Sequence, residues 1–263
     1  MIPLIVLRLT ALRSLVVVCL VLLSCRASAQ DLSIAAASDL QSVFPALAER
    51  FQRETGHRVG LTFGSSGNFF SQIQNGAPFD LFFSADLDYA GRLEAAGLAE
   101  RGSLYRYATG RIVLWMRNDS GIDVRRGLSV LGDSRVRRVA IANPEHAPYG
   151  RAAVAALQHE KLYDTVRPKL VFGESISQAA QFIQSGNAEA GIIALSLARA
   201  PALRAGGSYY EIPTASYPPI EQGAVITRAS RHKDTARQFL AFLRRSDISR
   251  VMQEFGFSIP SNP

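Results

Sequence analysis

From residue 32 onward the chain alternates short apolar runs with longer stretches in which apolar side chains recur every three or four positions. The runs at 32–37, 58–63, 80–84, 111–116, 136–143, 169–172, 190–194 and 224–227 have strand length. The stretches at 39–55, 68–74, 86–96, about 149–160, about 175–185, 234–243 and 247–254 have helical spacing. On the first of these, Leu40, Val43, Phe44, Leu47 and Phe51 form one stripe that ends at Gly56. Strands alternating with helices predict an α/β fold with largely parallel sheets. The loop Arg117-Asn118-Asp119-Ser120-Gly121 suits a crossing into a second lobe, and Tyr217-Pro218-Pro219-Ile220 suits the return. The expected division is 30–113 with 221–263 in one lobe and 114–220 in the other. The last two helices would pack back on the first lobe.

A chain that leaves one lobe and comes back encloses a cleft, into which helices at the carboxyl ends of parallel strands point. Four strand-to-helix turns qualify. Ala35-Ala36-Ala37-Ser38-Asp39 and Phe63-Gly64-Ser65-Ser66-Gly67 each place a serine at a helix start. Asn143-Pro144-Glu145-His146-Ala147-Pro148-Tyr149-Gly150 and Gly173-Glu174-Ser175-Ile176-Ser177 would offer the backbone N–H groups of Tyr149 and Ile176. A first helical turn carries unpaired N–H groups and the positive end of the helix dipole, so it attracts anions. Any one of these turns taken alone is better explained by ordinary capping, for which serine is favoured whatever the function. Four on one cleft point to a shared ligand.

Composition narrows the class. With 48% hydrophobic and 19% charged residues the chain is globular rather than disordered. Residues 1–29 have the plan of a secretory signal peptide: Arg8 and Arg13, the apolar run 15–23, then Ala27-Ser28-Ala29 at a cleavage site. That run is too short for a membrane anchor, which needs roughly 20 residues. Leu22-Leu23-Ser24-Cys25 loosely resembles a lipobox, which would make Cys25 a lipidated N-terminus instead. Cys19 and Cys25 are the only cysteines, so the mature protein has no disulfide. Of the net charge of +7, three units belong to Arg8, Arg13 and Arg26, and the remaining clusters lack interleaved aromatics, which argues against nucleic acid. His57, His146, His159 and His232 show no metal-ligand spacing. His146 beside Glu145 is the one catalytic-looking pair, and neither serine turn matches a nucleophile elbow or a P-loop.

The ordered set Ala35-Ala36-Ala37-Ser38, Gly64-Ser65-Ser66-Gly67, residues 76–86, Pro144 to Gly150 and Phe255-Gly256-Phe257 resembles the periplasmic molybdate-binding proteins of ABC transporters. The resemblance runs over essentially the whole mature sequence and implies a two-lobed type II periplasmic-binding-protein fold. It implies a periplasmic, monomeric protein that is not an enzyme, has no cofactor, captures molybdate or tungstate and delivers it to a membrane permease. Ser38 and Ser66 would donate hydroxyl and backbone hydrogen bonds, and Tyr149 and Ile176 backbone N–H. The only metal implied is the molybdenum of the oxyanion, reached through its oxygens by these same residues. Ala194 stands where some members carry a tyrosine donor, and the expectation is that the Tyr149 hydroxyl fills that gap. Asp39 adjoins Ser38, but one residue into a helix it is as well suited to stabilise the helix start facing away. Fully ionised tetrahedral anions only accept hydrogen bonds, so neutral donors suffice, and size would select molybdate over sulfate. The rival readings are a binding protein for sulfate or another tetrahedral oxyanion, a secreted hydrolase using Ser66 and His146, and the effector domain of a transcription regulator.

Overall fold

The computed structural model describes residues 32–260, so the expected leader and both cysteines lie outside the described residues. Two five-stranded sheets organise the described chain. The first, in the order β2-β1-β3-β10-β4, contains β1 (Leu32–Ala37), β2 (Val59–Gly64), β3 (Leu81–Ser84), β4 (Tyr105–Gly110) and β10 (Ile220–Ile226). The second, in the order β7-β6-β8-β5-β9, contains β5 (Ile112–Arg117), β6 (Val139–Ala142), β7 (Leu170–Gly173), β8 (Ala190–Ala194) and β9 (Gly207–Glu211). The helices are α1 (Phe44–Thr55), α2 (Ser66–Gln74), α3 (Leu87–Ala95), α4 (Pro148–His159), α5 (Tyr163–Val166), α6 (Ile176–Gln184), α7 (Leu195–Ala198), α8 (Pro201–Gly206), α9 (Lys233–Leu243) and α10 (Ser246–Glu254). No helix among the described residues is long and apolar enough to cross a membrane.

In each sheet four strands point one way and the fifth opposes them. β1 lies parallel to β2 and β3, and β6 to β7 and β8, whereas β10 and β5 run antiparallel to both of their neighbours. The opposing strand is in both cases the one that arrives from the other sheet. The outward crossing falls at Gly110-Arg111, ahead of β5, and not in the loop at 117–121 where the sequence places it. That loop is a surface turn, Asn118–Ser120, closed by Gly121 at φ 64°.

Strand alternation sorts the core. Ile34, Ala36 and Phe83 face a cluster completed by Phe44, Phe51 and Phe239 from α1 and α9, while Ala35 and Phe82 face Phe69 and Phe70 on the opposite side. Because both faces are covered, these strands read as continuous apolar runs rather than as alternating ones. Phe44 meets Phe83 edge-on at 5.0 Å between ring centroids, and Phe51 meets Phe239 at 5.1 Å. Such pairs add about 0.5–1.5 kcal/mol each beyond area burial. The second sheet buries Ile112 to Met116 against α4 and α6 residues such as Ala153 and Ile183.

The expected helix over 39–55 is in fact two pieces. Ser38–Ser42 is a 3-10 segment, and α1 begins only at Phe44, after Val43 at φ −115° and ψ −39°. Pro45 is the cause, since proline fits a first turn but its ring clashes with the carbonyl four residues earlier in a continuous helix. Strands β4 and β9, which are absent from the expected elements, lie at sheet edges and have β10 and β5 as their neighbours in the sheets. An edge position requires no apolar run.

Candidate functional site

Ser38, Ser66, Tyr149 and Ile176 line a single cavity between the two sheets. The local chemistry separates capping from binding. Ser65 caps α2 by accepting from Asn68 N at 3.3 Å, and Ser175 caps α6 by accepting from Gln178 N at 3.3 Å. Their neighbours Ser66 and Ile176 are thereby the first helical residues, and the turns have one serine for the cap and a separate residue for the cavity. Ser66 Oγ accepts from Ala85 N at 2.9 Å, and Ser38 Oγ accepts from Ser177 N at 3.3 Å. A hydroxyl whose oxygen is already accepting keeps its proton to donate. Ser66, Tyr149 and Ile176 also sit in first helical turns, where the chain supplies no intrahelical acceptor for their N–H groups. No lysine or arginine lines the cavity.

Of the two orientations open to Asp39, its carboxyl does not face away but is fully buried against the cavity wall. Oδ2 accepts from the Tyr149 hydroxyl at 2.9 Å and from Gln222 Nε2 at 2.7 Å, and Gln222 Nε2 also lies 3.0 Å from the Tyr149 hydroxyl. Oδ1 and Gln222 Oε1 have no partner. Burial pushes the Asp39 pKa up to about 6, although the bonds from Gln222 and Tyr149 and the backbone N–H groups of Asp39 and Leu40 favour the ionised form. Burial and the Asp39 charge hold the Tyr149 and Tyr107 hydroxyls well above the ordinary tyrosine range. The Tyr149 proton is therefore committed to Asp39, which removes it as a substitute for the donor absent at Ala194. Ala194 itself is buried opposite Ile112 and does not line the cavity.

The two walls touch. Ser177 N reaches Ser38, Gly67 N donates to His146 O at 2.9 Å, Ser196 Oγ donates to Asp39 O at 2.7 Å, and Ser42 Oγ to Ser196 O at 2.9 Å. Gly67 is required there, because a Cβ would stand 2.7 Å from His146 O. Arg151 on α4 pairs with Asp86 ahead of α3. The cavity so enclosed measures about 10 Å³, no more than the ~10–15 Å³ that one water needs by the same measure. A tetrahedral oxyanion is larger than this space. The wider groove of about 790 Å³ beside Asp86, Arg151 and Pro218 is lined by two helix starts, at Leu87 and Pro148, but by no serine, and it carries both acidic and basic side chains.

The His146 ring turns to Glu174, 3.1 Å from its carbonyl and 3.2 Å from its carboxylate, rather than to Glu145 or Ser66. Among the described residues no group of three or more His, Cys, Asp and Glu side chains is placed to hold a metal ion. Sequence reasoning missed Asp39 and Gln222 as members of the site. A signal existed for each: an acid immediately after Ser38, and a lone amide in the strand run 220–226.

Residues 32–258 match the family described as bacterial extracellular solute-binding protein. The chain is 37% identical over 238 residues to the molybdate-binding protein ModA of Azotobacter vinelandii, covering 90% of this chain and 94% of that one. It is 36% identical to the molybdate-binding protein ModA of Rhodobacter capsulatus, covering 88% and 89%. The solved structure of the Azotobacter vinelandii periplasmic molybdate-binding protein superimposes with a TM-score of 0.81 at 34% identity, over 87% of this chain and 99% of that chain. With its two sheets, its paired crossings and its helix starts gathered on one cleft, the chain belongs to the family of bacterial extracellular solute-binding proteins.

Proposed function

We propose that the protein captures molybdate, or its near-isostere tungstate, between its two lobes and delivers it to the membrane permease of an ABC transporter. The observation that carries this reading is the convergence of helix-start N–H groups and two serine hydroxyls on one cavity that no lysine or arginine lines. Fixed dipoles of this kind neutralise a dianion without a counter-ion, as in other anion-binding concavities. The names of the relatives at 37% and 36% identity support molybdate as the ligand. Cavity size would exclude sulfate, which presents the same four acceptor oxygens on a smaller body. The lobes, assigned to 30–113 with 221–263 and to 114–220, would open to admit the anion and close through the contacts between the walls. The protein would work as a periplasmic monomer, without catalysis, after removal of residues 1–29.

A thermal-shift screen of the mature protein against molybdate, tungstate, sulfate, phosphate and chromate tests the reading. A ligand bound only by the folded state stabilises it by about 2.7 kcal/mol at a hundredfold excess over Kd. Molybdate and tungstate should raise the melting temperature with concentration. A shift with phosphate or sulfate alone would sink the molybdate assignment, and superimposable scattering profiles with and without saturating ligand would sink closure.

A further inference from the structure

A buried carboxyl ordinarily finds partners for both oxygens, and Asp39 finds them for one. Oδ2 holds two donors, Tyr149 and Gln222, whereas Oδ1 is buried with none. The same residue lines the cavity beside Ser38, Ser66 and the first-turn residues Tyr149 and Ile176, and it is the one acidic residue there. A fixed negative charge there opposes a dianion that can only accept. Building on the oxyanion reading above, we propose that Asp39 takes up a proton from solvent as the oxyanion binds and, as the neutral acid, donates a hydrogen bond to it from Oδ1.

The position of that proton follows from the bonds already made. Two donors occupy Oδ2, so the acid hydrogen belongs on Oδ1, where no intramolecular acceptor competes for it. The carboxyl then supplies the side-chain donor that Ala194 lacks and that Tyr149 cannot provide. The titratable groups facing Asp39 are Tyr149 of α4 and Tyr107 of β4, whose hydroxyl donates to Ser84 O at 3.3 Å. β10 presents the amide of Gln222, and α7 the hydroxyl of Ser196. Both tyrosines stay neutral, and no cation contributes to holding Asp39 ionised.

Burial has already brought the carboxyl to about 6, and a dianion at hydrogen-bond distance raises it further. The sign is then determined. Between that pH and the higher value in the complex, the complex holds up to one more proton than the free protein, so affinity falls as pH rises, by up to about tenfold per pH unit.

The test is calorimetric titration of the mature protein with molybdate from about pH 6.5 to about pH 8.5, in buffers of different ionisation enthalpy. Wild type should take up close to one proton per anion at the alkaline end, and its infrared difference spectrum should gain a protonated-carboxyl band on binding. Asp39→Asn should show neither, with an affinity independent of pH. Molybdate binding by wild type with no proton uptake overturns the proposal, as does Asp39→Asn with wild-type uptake. Tighter binding of phosphate without uptake also overturns it, since Asp39 would then accept from a protonated anion. Heat from sulfate but none from molybdate removes the molybdate assignment alone, and the proton count is then read with sulfate. No heat from any oxyanion overturns both.

Discussion

The wall carried by the first sheet lines the cavity with polar residues, Ser38, Ser66 and Asp39 among them, whereas the wall carried by the second lines it with Ala147, Pro148, Tyr149 and Ile176, whose proposed donors are backbone N–H groups. There the side chains have other tasks. The Tyr149 hydroxyl is bonded to Asp39 and Gln222, and Ile176 packs in the core of its own lobe. One wall therefore depends on residue identity and the other on the path of the chain. The first can be altered an atom at a time, and the second only by removing an N–H or moving a helix.

The largest effect should come from Ser66→Ala. It removes a donor and leaves the buried N–H of Ala85 without its acceptor. With about 1.5–3 kcal/mol for a hydrogen bond to a charged group, molybdate affinity should fall about 10- to 100-fold by calorimetry. Denaturant unfolding should show a further loss of about 1–3 kcal/mol for the unpaired group. Affinity within about threefold of wild type would break the side-chain half of the comparison.

The backbone half is tested by a pair at one position. Ile176 is the first residue of α6 and follows Ser175 in an extended conformation, at φ −145° and ψ 167°. Proline is tolerated at a first helical position and after an extended residue. Ile176→Pro should thus keep the helix and lose the N–H, weakening binding about tenfold. Ile176→Ala keeps the N–H and should bind within about threefold, although it costs about 2–5 kcal/mol of stability as a buried truncation. Equal affinities for the two variants would mean that this N–H does not reach the anion.

The smallest effect concerns contact between the walls away from the cavity. Arg151 and Asp86 retain 40% and 26% of their side-chain exposure, so solvent screens the pair. Its contribution is about 0–1 kcal/mol. Arg151→Ala should change affinity by no more than about fivefold, and the difference should shrink in high salt.

The four turns were legible in the sequence because their chemistry is local: a serine, glycine or proline at a fixed offset from an apolar run reports a helix start without reference to anything distant. The expected strands and helices appear in the expected order for the same reason, with β4 and β9 among the additions. The bond from Tyr149 to Asp39 was not legible, because it joins α4 to the turn after β1, and the third member, Gln222, arrives on β10. Nothing near residue 149 announces that its hydroxyl is already engaged. The interruption at Val43 is a different kind of miss. Pro45 is a local signal too, but the apolar stripe through Leu40, Val43, Phe44 and Leu47 runs past it without a break.

The two opposing strands also govern the order in which this chain can fold. β4 has one neighbour in its sheet, β10, and every strand of the second sheet is synthesised between them. β3 likewise keeps one edge open until β10 arrives. The second lobe can complete its sheet from a continuous segment, but the first must wait for residues near the carboxyl end and close a long loop to reach them, which slows folding. A nascent chain shorter than about 220 residues thus lacks the strand that joins β3 to β4, and the protein remains unable to finish its anion site until synthesis is nearly over.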